Sequence, residues 1–139
     1  MTATPNILLV DDDPAIRESL RFSLELQGFT VETHANAESM VDREVPDKGC
    51  CLVLDYYLPG MDGLSLLTLL RQRGTLAPAL LITSNPARAL KLRAAEAGAE
   101  IIEKPLLCDA LVAAIRSELA GRGDAESAGR HAGVEIENE

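Results

Sequence analysis

The chain has 139 residues, of which 47% are hydrophobic and 25% are charged, a composition typical of globular proteins. At roughly 100 to 200 residues per domain, this length predicts one folded domain. A formal net charge of −9 opposes direct binding to the phosphate backbone of nucleic acids. No apolar run approaches the roughly 20 residues of a membrane-spanning helix. We therefore expect neither a nucleic-acid-binding nor a membrane protein, and a cytoplasmic location because no signal-peptide pattern is present.

Apolar segments predict the strands of a sheet. Four of them do not alternate with polar residues, which is typical of strands buried on both faces of a parallel sheet. These four segments are Ile7 to Val10, Cys51 to Leu54, Leu80 to Ile82 and Ile101 to Ile102. A fifth segment, Phe29 to Thr33, alternates between apolar and polar residues and is predicted to be an edge strand.

Helical patterns lie between and after these strands. The first helix is predicted to begin with Asp13 as its N-cap and Pro14 as its first residue, and to stop at Gly28. The others are predicted after Asn36 and before Pro46, from Gly63 to Arg73, from Pro86 to Gly98, and across Leu111 to Leu119. Because each parallel crossover needs a helix, we predict an α/β fold. Its expected form is a flavodoxin-like, doubly wound sheet of five parallel strands, in the order 2-1-3-4-5, with five helices.

The end of the chain differs in composition from the rest. Residues 1–120 are predicted to form the domain, and residues 121–139 a disordered acidic tail. This tail holds two basic and five acidic side chains and almost no apolar residues to bury. Ordering it would cost about 1 to 2 kcal/mol per residue in backbone entropy without compensating burial.

Polar side chains follow four of the predicted strands. Asp11 and Asp12 follow the first strand, Asp55 the third, Thr83 the fourth and Lys104 the fifth. Ligands of open parallel sheets bind at the carboxyl ends of the strands, where these residues would meet. Two carboxylates 4 Å apart repel by roughly 4 kcal/mol at an effective dielectric constant of 20, so a cation is required. Hard carboxylate oxygens suit Mg²⁺, which also binds phosphate oxygens, and the pattern predicts a magnesium-dependent phosphate site.

The same residues suggest a chemistry for this site. Lys104 would supply a positive charge to a phosphate oxygen, and the Thr83 hydroxyl a hydrogen bond. An aspartate held beside the metal can act as the nucleophile that accepts a phosphoryl group. The residue types alone leave open which aspartate does so.

Four motifs together resemble the receiver domains of two-component response regulators: ILLVDDDP, LVLDYYLPGMDG, LLITSN and IIEKP. The resemblance covers about residues 5–120. It implies that Asp55 is the phosphoacceptor, which takes a phosphoryl group from a histidine kinase or a phosphotransfer protein of a phosphorelay. It also implies that Asp11 and Asp12 hold Mg²⁺ together with Asp55, and that the backbone carbonyl of Tyr57 completes the metal site.

The resemblance further implies a switch. Thr83 is similar to the hydroxyl residue that turns toward the new phosphate, and Lys104 to the lysine that pairs with it. Pro105 is expected to follow a cis peptide bond. Members of the family often have Phe or Tyr three residues before the lysine, where this chain has Ile101. An aliphatic residue cannot report the switch by ring rotation, so the coupling to the face made by the fourth helix, fifth strand and fifth helix is expected to be different or weaker.

The expected function is a phosphorylation-activated signalling switch. Such a domain would catalyse only its own phosphorylation and dephosphorylation, and would signal through contacts with an unknown protein target. Whether phosphorylation produces a homodimer stays open. We favour a stand-alone receiver and keep two alternatives. One is a small metal-dependent phosphohydrolase with an Asp nucleophile, because Asp11, Asp12 and Asp13 also form a D-x-D motif; the other is the N-terminal receiver fragment of a longer DNA-binding regulator.

Overall fold

The sheet has five parallel strands in a computed structural model that describes residues 5–106 and 108–127. The strands are β1 (Ile7–Val10), β2 (Val31–His34), β3 (Cys51–Asp55), β4 (Ala79–Thr83) and β5 (Ala99–Glu103). Their order in the sheet is β2-β1-β3-β4-β5. This order confirms the predicted flavodoxin-like topology. All five strands run parallel, and the order in which successive strands are added to the sheet reverses between β1 and β3.

The described part of the chain has four α-helices, one fewer than predicted. They are α1 (Pro14–Leu26), α2 (Gly63–Gln72), α3 (Arg88–Glu96) and α4 (Cys108–Ser127). The helix predicted after Asn36 is only a short 3-10 helix, Glu38–Met40. Here the Asn36 side chain accepts a hydrogen bond from the Ser39 N–H at 2.9 Å, and the Ser39 hydroxyl donates to the Asn36 carbonyl at 3.1 Å. Such local side-chain bonds compete with the hydrogen bonds of a regular α-helix.

The last helix ends later than predicted. α4 continues to Ser127, seven residues beyond the boundary expected at residue 120. Extending a helix that is already packed costs little, because each added residue also adds a backbone hydrogen bond. Residues 128–139, the remainder of the predicted disordered tail, lie outside the described residues. None of the helices described is both long enough and apolar enough to cross a membrane.

Both faces of the sheet are covered, which explains the uninterrupted apolar strands. Ile7 and Leu9 of β1 belong to the core beneath α1 and α4, whereas Leu8 and Val10 belong to the core beneath α2. Alternate residues of a strand point to opposite faces, so a strand covered on both sides needs apolar residues at every position. β2, at the edge, is only partly buried along its length, as predicted for an edge strand.

The strand register brings the functional candidates to one edge. Val10 pairs with Leu54, so Asp11, which follows β1, and Asp55, the last residue of β3, are neighbours. Asp55 pairs with Ile82, one residue before Thr83. Because all strands are parallel, their carboxyl ends meet at this edge, and the site forms there.

Candidate metal and phosphate site

Three carboxylates meet at the carboxyl edge of the sheet. Asp11, Asp12 and Asp55 each offer one oxygen, and these oxygens all lie within 4.8 Å of one another. Asp11 and Asp55 are 3% and 4% exposed, whereas Asp12 is exposed to solvent. The predicted grouping of these acids is therefore present. Three carboxylate oxygens open to water on one side are a donor set that fits Mg²⁺, which retains several waters when it binds to proteins.

Asp11 is held by hydrogen bonds from three directions. Its Oδ1 accepts from the Asp13 N–H at 2.9 Å, and its carbonyl accepts from Arg17 Nη1 at 2.8 Å. Its own N–H donates to the His34 carbonyl at 3.1 Å. The Asp13 side chain accepts instead from the N–H of Ala15 at 2.9 Å, and so caps α1 as predicted. The two backbone bonds hold the Asp11 main chain, and the bond from the Asp13 N–H orients its buried carboxylate.

Asp55 is the last residue of β3 and contacts two other parts of the site. Its Oδ1 accepts a hydrogen bond from the Tyr57 N–H at 3.2 Å. Its Oδ2 lies 3.5 Å from Lys104 Nζ, an ion pair that joins the ends of β3 and β5. The Lys104 N–H in turn donates to the Thr83 carbonyl at 2.9 Å, which places Thr83 and Lys104 side by side.

Burial makes the charged state of the inner acids costly. It raises the pKa of Asp55 above its usual range; the Lys104 ammonium counters this change, and the neighbouring Asp11 adds to it. Burial also raises the pKa of Asp11, against a hydrogen bond from the Asp13 N–H that lowers it. A cation among these carboxylates would favour their ionised forms and lower both pKa values. The electrostatics of the site therefore favour binding of a cation.

The predicted switch residues lie beside this acidic group. Thr83 is fully buried, and its Oγ1 donates a long hydrogen bond of 3.4 Å to the Ser84 carbonyl. The peptide bond between Lys104 and Pro105 is cis, as expected. Ile101 is partly buried and packs against the core beneath α2. The Thr83 hydroxyl thus has only a weak bond to break if it reorients.

The loop after β3 packs tightly against Asp55. A Cβ on Gly63 would lie 2.3 Å from the Asp55 carbonyl oxygen, so only glycine fits there. The Gly63 N–H donates to the Tyr56 carbonyl at 3.0 Å, and Asp62 caps α2 through the Ser65 N–H at 2.7 Å. The glycine of the PGMDG motif is therefore required by close backbone packing at the start of α2.

Two residues that contact the site or its loop could not be identified from the sequence motifs. Arg17 contacts the Asp11 carbonyl from α1, and Glu38 contacts the loop after β3 from the 3-10 helix. Both contacts are made by long polar side chains, which on a sequence look like ordinary solvated charges. Gly60 lies next to Glu38 Oε2, but its φ of 77° already favours glycine, so this residue gives no independent sign of the contact.

Comparison with known proteins agrees with this geometry. The sequence model described as "Response regulator receiver domain" matches residues 7–116. Transcriptional regulatory protein FixJ of Azorhizobium caulinodans is 38% identical over 133 residues, a match that covers 92% of this chain and 63% of FixJ. Response regulator MprA of Mycolicibacterium vanbaalenii is 34% identical over 129 residues, covering 92% of this chain and 56% of MprA. The chain therefore spans less than two thirds of the length of these relatives.

A solved structure also matches the fold. The CheY-like receiver domain protein from Methanospirillum hungatei superimposes with a TM-score of 0.74 at 28% identity, covering 85% of this chain and 95% of that one. Fold, strand-end residues and sequence similarity agree over nearly all of the described residues. The chain belongs to the family of response regulator receiver domains of two-component signalling systems.

Proposed function

We propose that this receiver domain is switched by transfer of a phosphoryl group to Asp55 from a phosphohistidine of a histidine kinase or phosphotransfer protein. The single observation that carries the proposal is the position of the Asp55 carboxylate. It is almost fully buried, lies in one cluster with Asp11 and Asp12, and has Lys104 Nζ 3.5 Å from its Oδ2. Membership of the receiver family supports a phosphorylation-activated switch in general.

Asp11, Asp12 and Asp55 would hold Mg²⁺, and the backbone carbonyl of Tyr57 would complete the protein's ligands. When bound, the ion offsets negative charge on the carboxylates and on the phosphoryl oxygens. The raised pKa values of Asp11 and Asp55 support this assignment, because both acids are costly to ionise without a nearby cation.

The transfer step requires little chemistry from the protein. An Asp55 carboxylate oxygen attacks phosphorus in line with the nitrogen of the donor histidine. A bond between oxygen and phosphorus forms, the bond between phosphorus and nitrogen breaks, and the imidazole leaves with its electron pair. Lys104 balances the charge on the transferred group, and the Tyr57 N–H orients the carboxylate. Attack of water on the phosphorus later releases phosphate, so the domain would catalyse only its own phosphorylation and dephosphorylation.

The new phosphoryl group would then change the conformation of the site. It brings about −1.5 to −2 charge and three strong acceptor oxygens. Reversing a population from 1:99 to 99:1 requires about 5.5 kcal/mol, and hydrogen bonds to charged groups supply about 1.5 to 3 kcal/mol each. Bonds from Thr83 and Lys104 to the phosphate could supply most of this free energy. Because Ile101 stands where an aromatic residue is common in the family, we expect different or weaker coupling to the face formed by α3, β5 and α4.

The signal would leave the domain through protein contacts rather than through nucleic acid. The downstream target is an unidentified protein, and a phosphorylation-dependent homodimer is one form that the contact could take. The chain spans 63% of the transcriptional regulator FixJ, which supports keeping the alternative of an N-terminal receiver within a longer regulator. The native reading frame downstream of codon 139 distinguishes this alternative from a stand-alone receiver. The cytoplasmic location stays a prediction from the sequence.

The phosphohydrolase alternative loses its main support. It requires Asp13 as a second catalytic acid, but Asp13 Oδ1 accepts hydrogen bonds from the N–H groups of Ala15 and Ile16 at 2.9 and 3.2 Å. The contacts of the Asp13 side chain are thus those of a helix cap, and they give no support to a role as proton donor to a leaving group.

Intact-mass measurement after incubation with Mg²⁺ and acetyl phosphate tests the proposal. We expect one added phosphoryl group, which is absent in the Asp55→Asn variant and when EDTA replaces Mg²⁺. Asp13→Asn is the matched control, because asparagine is an equally good N-cap and leaves the acidic cluster intact. Unmodified wild-type protein, or equal modification of Asp55→Asn, would contradict the proposal.

A further inference from the structure

Glu38 contacts the loop that joins β3 to α2. Its Oε2 accepts a hydrogen bond from the Met61 N–H at 3.4 Å. A Cβ on Gly60 would lie 2.7 Å from the same oxygen, so the carboxylate lies directly against the loop backbone. Gly60 has a φ of 77°, in the left-handed region that glycine adopts without strain. The loop therefore turns at the point where the carboxylate approaches it.

The 3-10 helix that carries Glu38 is itself anchored. Ala37 and Met40, on either side of Glu38, are fully buried in the core beneath α2. Ser39 Oγ lies 2.7 Å from His34 Nδ1, which connects the 3-10 helix to the end of β2. The backbone of Glu38 is thus fixed by packing and hydrogen bonding, and its side chain contacts the loop from a fixed position.

Both ends of the contacted loop reach the phosphoacceptor. At its beginning, the Tyr57 N–H donates to Asp55 Oδ1 at 3.2 Å. At its end, the Gly63 N–H donates to the Tyr56 carbonyl at 3.0 Å, and Gly63 has no space for a Cβ against the Asp55 carbonyl. A shift of the loop would therefore move the Tyr57 peptide, whose carbonyl is the fourth ligand in the proposed magnesium site.

We propose that Glu38 is a positioning residue of the metal and phosphate site. Its carboxylate holds the loop between Leu58 and Asp62, and with it the Tyr57 peptide, whose N–H donates to Asp55. Glu38 itself contacts neither the metal nor the phosphoryl group; it acts through the Met61 N–H. This inference rests on the proposed function, because it assigns Glu38 a part in Mg²⁺ binding at that same site.

Two variants separate the hydrogen bond from the charge. Glu38→Gln keeps a carbonyl oxygen that can accept from the Met61 N–H, whereas Glu38→Ala has none. In metal-free buffer, hydrogen exchange of the Met61 amide should become about twofold faster in Glu38→Ala, as expected for the loss of one long and therefore weak hydrogen bond, and stay near the wild-type rate in Glu38→Gln.

A Mg²⁺ titration measures the effect on the site. The chain contains no Trp and only two Tyr, the adjacent residues Tyr56 and Tyr57, so intrinsic fluorescence reports on the loop next to Asp55. We expect the Kd for Mg²⁺ to rise about twofold in Glu38→Ala, as for the loss of one weak hydrogen bond, and to be restored in Glu38→Gln. Glu96→Ala is the matched control, since it removes an exposed carboxylate at the end of α3, away from the loop.

The outcomes distinguish this inference from the proposed function. Unchanged Met61 exchange in Glu38→Ala would overturn the inference, as would faster exchange with an unchanged Kd for Mg²⁺. An equal loss of affinity in Glu96→Ala would also overturn it, because the effect would then be one of net charge. If wild-type protein bound no Mg²⁺, the proposed function would fail and this inference with it, whereas normal Mg²⁺ binding by wild-type protein with unchanged Met61 exchange in Glu38→Ala would overturn the inference alone.

Discussion

Replacing Asp11 by asparagine should stabilise the metal-free protein. Asp11 is 3% exposed and belongs to a group of three acids whose nearest oxygens lie within 4.8 Å of one another. An asparagine at this position keeps an oxygen that can accept the hydrogen bond of the Asp13 N–H. The substitution therefore removes a buried negative charge and retains the local hydrogen bonding.

The size of the effect follows from the spacing of the charges. Two charges about 5 Å apart repel by about 3 kcal/mol at an effective dielectric constant near 20. Asp12 is exposed and Lys104 attracts the cluster, so we expect a net gain of about 1 to 2 kcal/mol in the free energy of unfolding. For a domain of this size, that gain raises the Tm by about 4 to 8 °C.

The effect should depend on pH and on Mg²⁺. Burial raises the pKa of Asp11 above its usual 3.8, so wild-type stability falls as the pH rises from that value through the pKa of the folded state. The advantage of Asp11→Asn is then present at pH near 7 and disappears below a pH of about 4. Saturating Mg²⁺ should reverse the order, because a ligand present at about 100 times its Kd stabilises the wild type by about 2.7 kcal/mol.

Thermal unfolding followed by circular dichroism, in EDTA and in Mg²⁺, measures these differences. Asp47→Asn, which removes an exposed acid outside the cluster, should leave the Tm unchanged in both buffers. If Asp11→Asn melted at or below the wild-type temperature in EDTA while retaining a native spectrum, mutual repulsion of the clustered acids would be refuted.

Three further predictions concern residues around the site. Gly63→Ala should destabilise the fold by about 3 kcal/mol in urea titrations, because its Cβ would meet the Asp55 carbonyl; unchanged stability would contradict the packing at that contact. Hydrogen bonds from Arg43 lower the pKa of Glu32 from 4.5 to about 2. The stability that this ionised acid contributes is therefore fully present above pH 4.5 and is lost as the pH falls toward 2. Its side chain is 33% exposed, and after allowance for solvent screening Glu32→Gln should cost about 1 to 2 kcal/mol at neutral pH and little at a pH near 2, measured by urea unfolding; a cost independent of pH would argue against the ion pair. His34 Nε2 lies 2.7 Å from a Glu32 oxygen, which can only accept, and His34 Nδ1 lies 2.7 Å from Ser39 Oγ. Nitrogen NMR should therefore show the proton of the neutral ring on Nε2, with the Ser39 hydroxyl donating to Nδ1 in place of the Asn36 carbonyl; a proton on Nδ1 would contradict this arrangement.

Local patterns in the sequence were sufficient to predict the sheet and the location of the site. A strand buried on both faces needs apolar residues at each position, so the strands are visible without knowledge of their neighbours. Parallel connection then brings their carboxyl ends to one edge, which is why Asp11, Asp12 and Asp55 could be grouped from their positions alone. The resemblance to the receiver family added the roles proposed for them and the cis peptide before Pro105, which the structure confirms.

Tertiary structure decided what depends on residues that are distant in the chain. The segment after Asn36 has the residues of a helix, but local side-chain bonds leave only one turn, and that turn places Glu38 against Met61, 23 residues away. The raised pKa of Asp55 likewise comes first from burial, a property of the packed domain rather than of any motif. The periodicity of a sequence shows which face of a helix or strand is apolar. The partner of a single polar side chain, in contrast, depends on how the helices and strands pack against one another. These contacts could therefore be identified only from the structure.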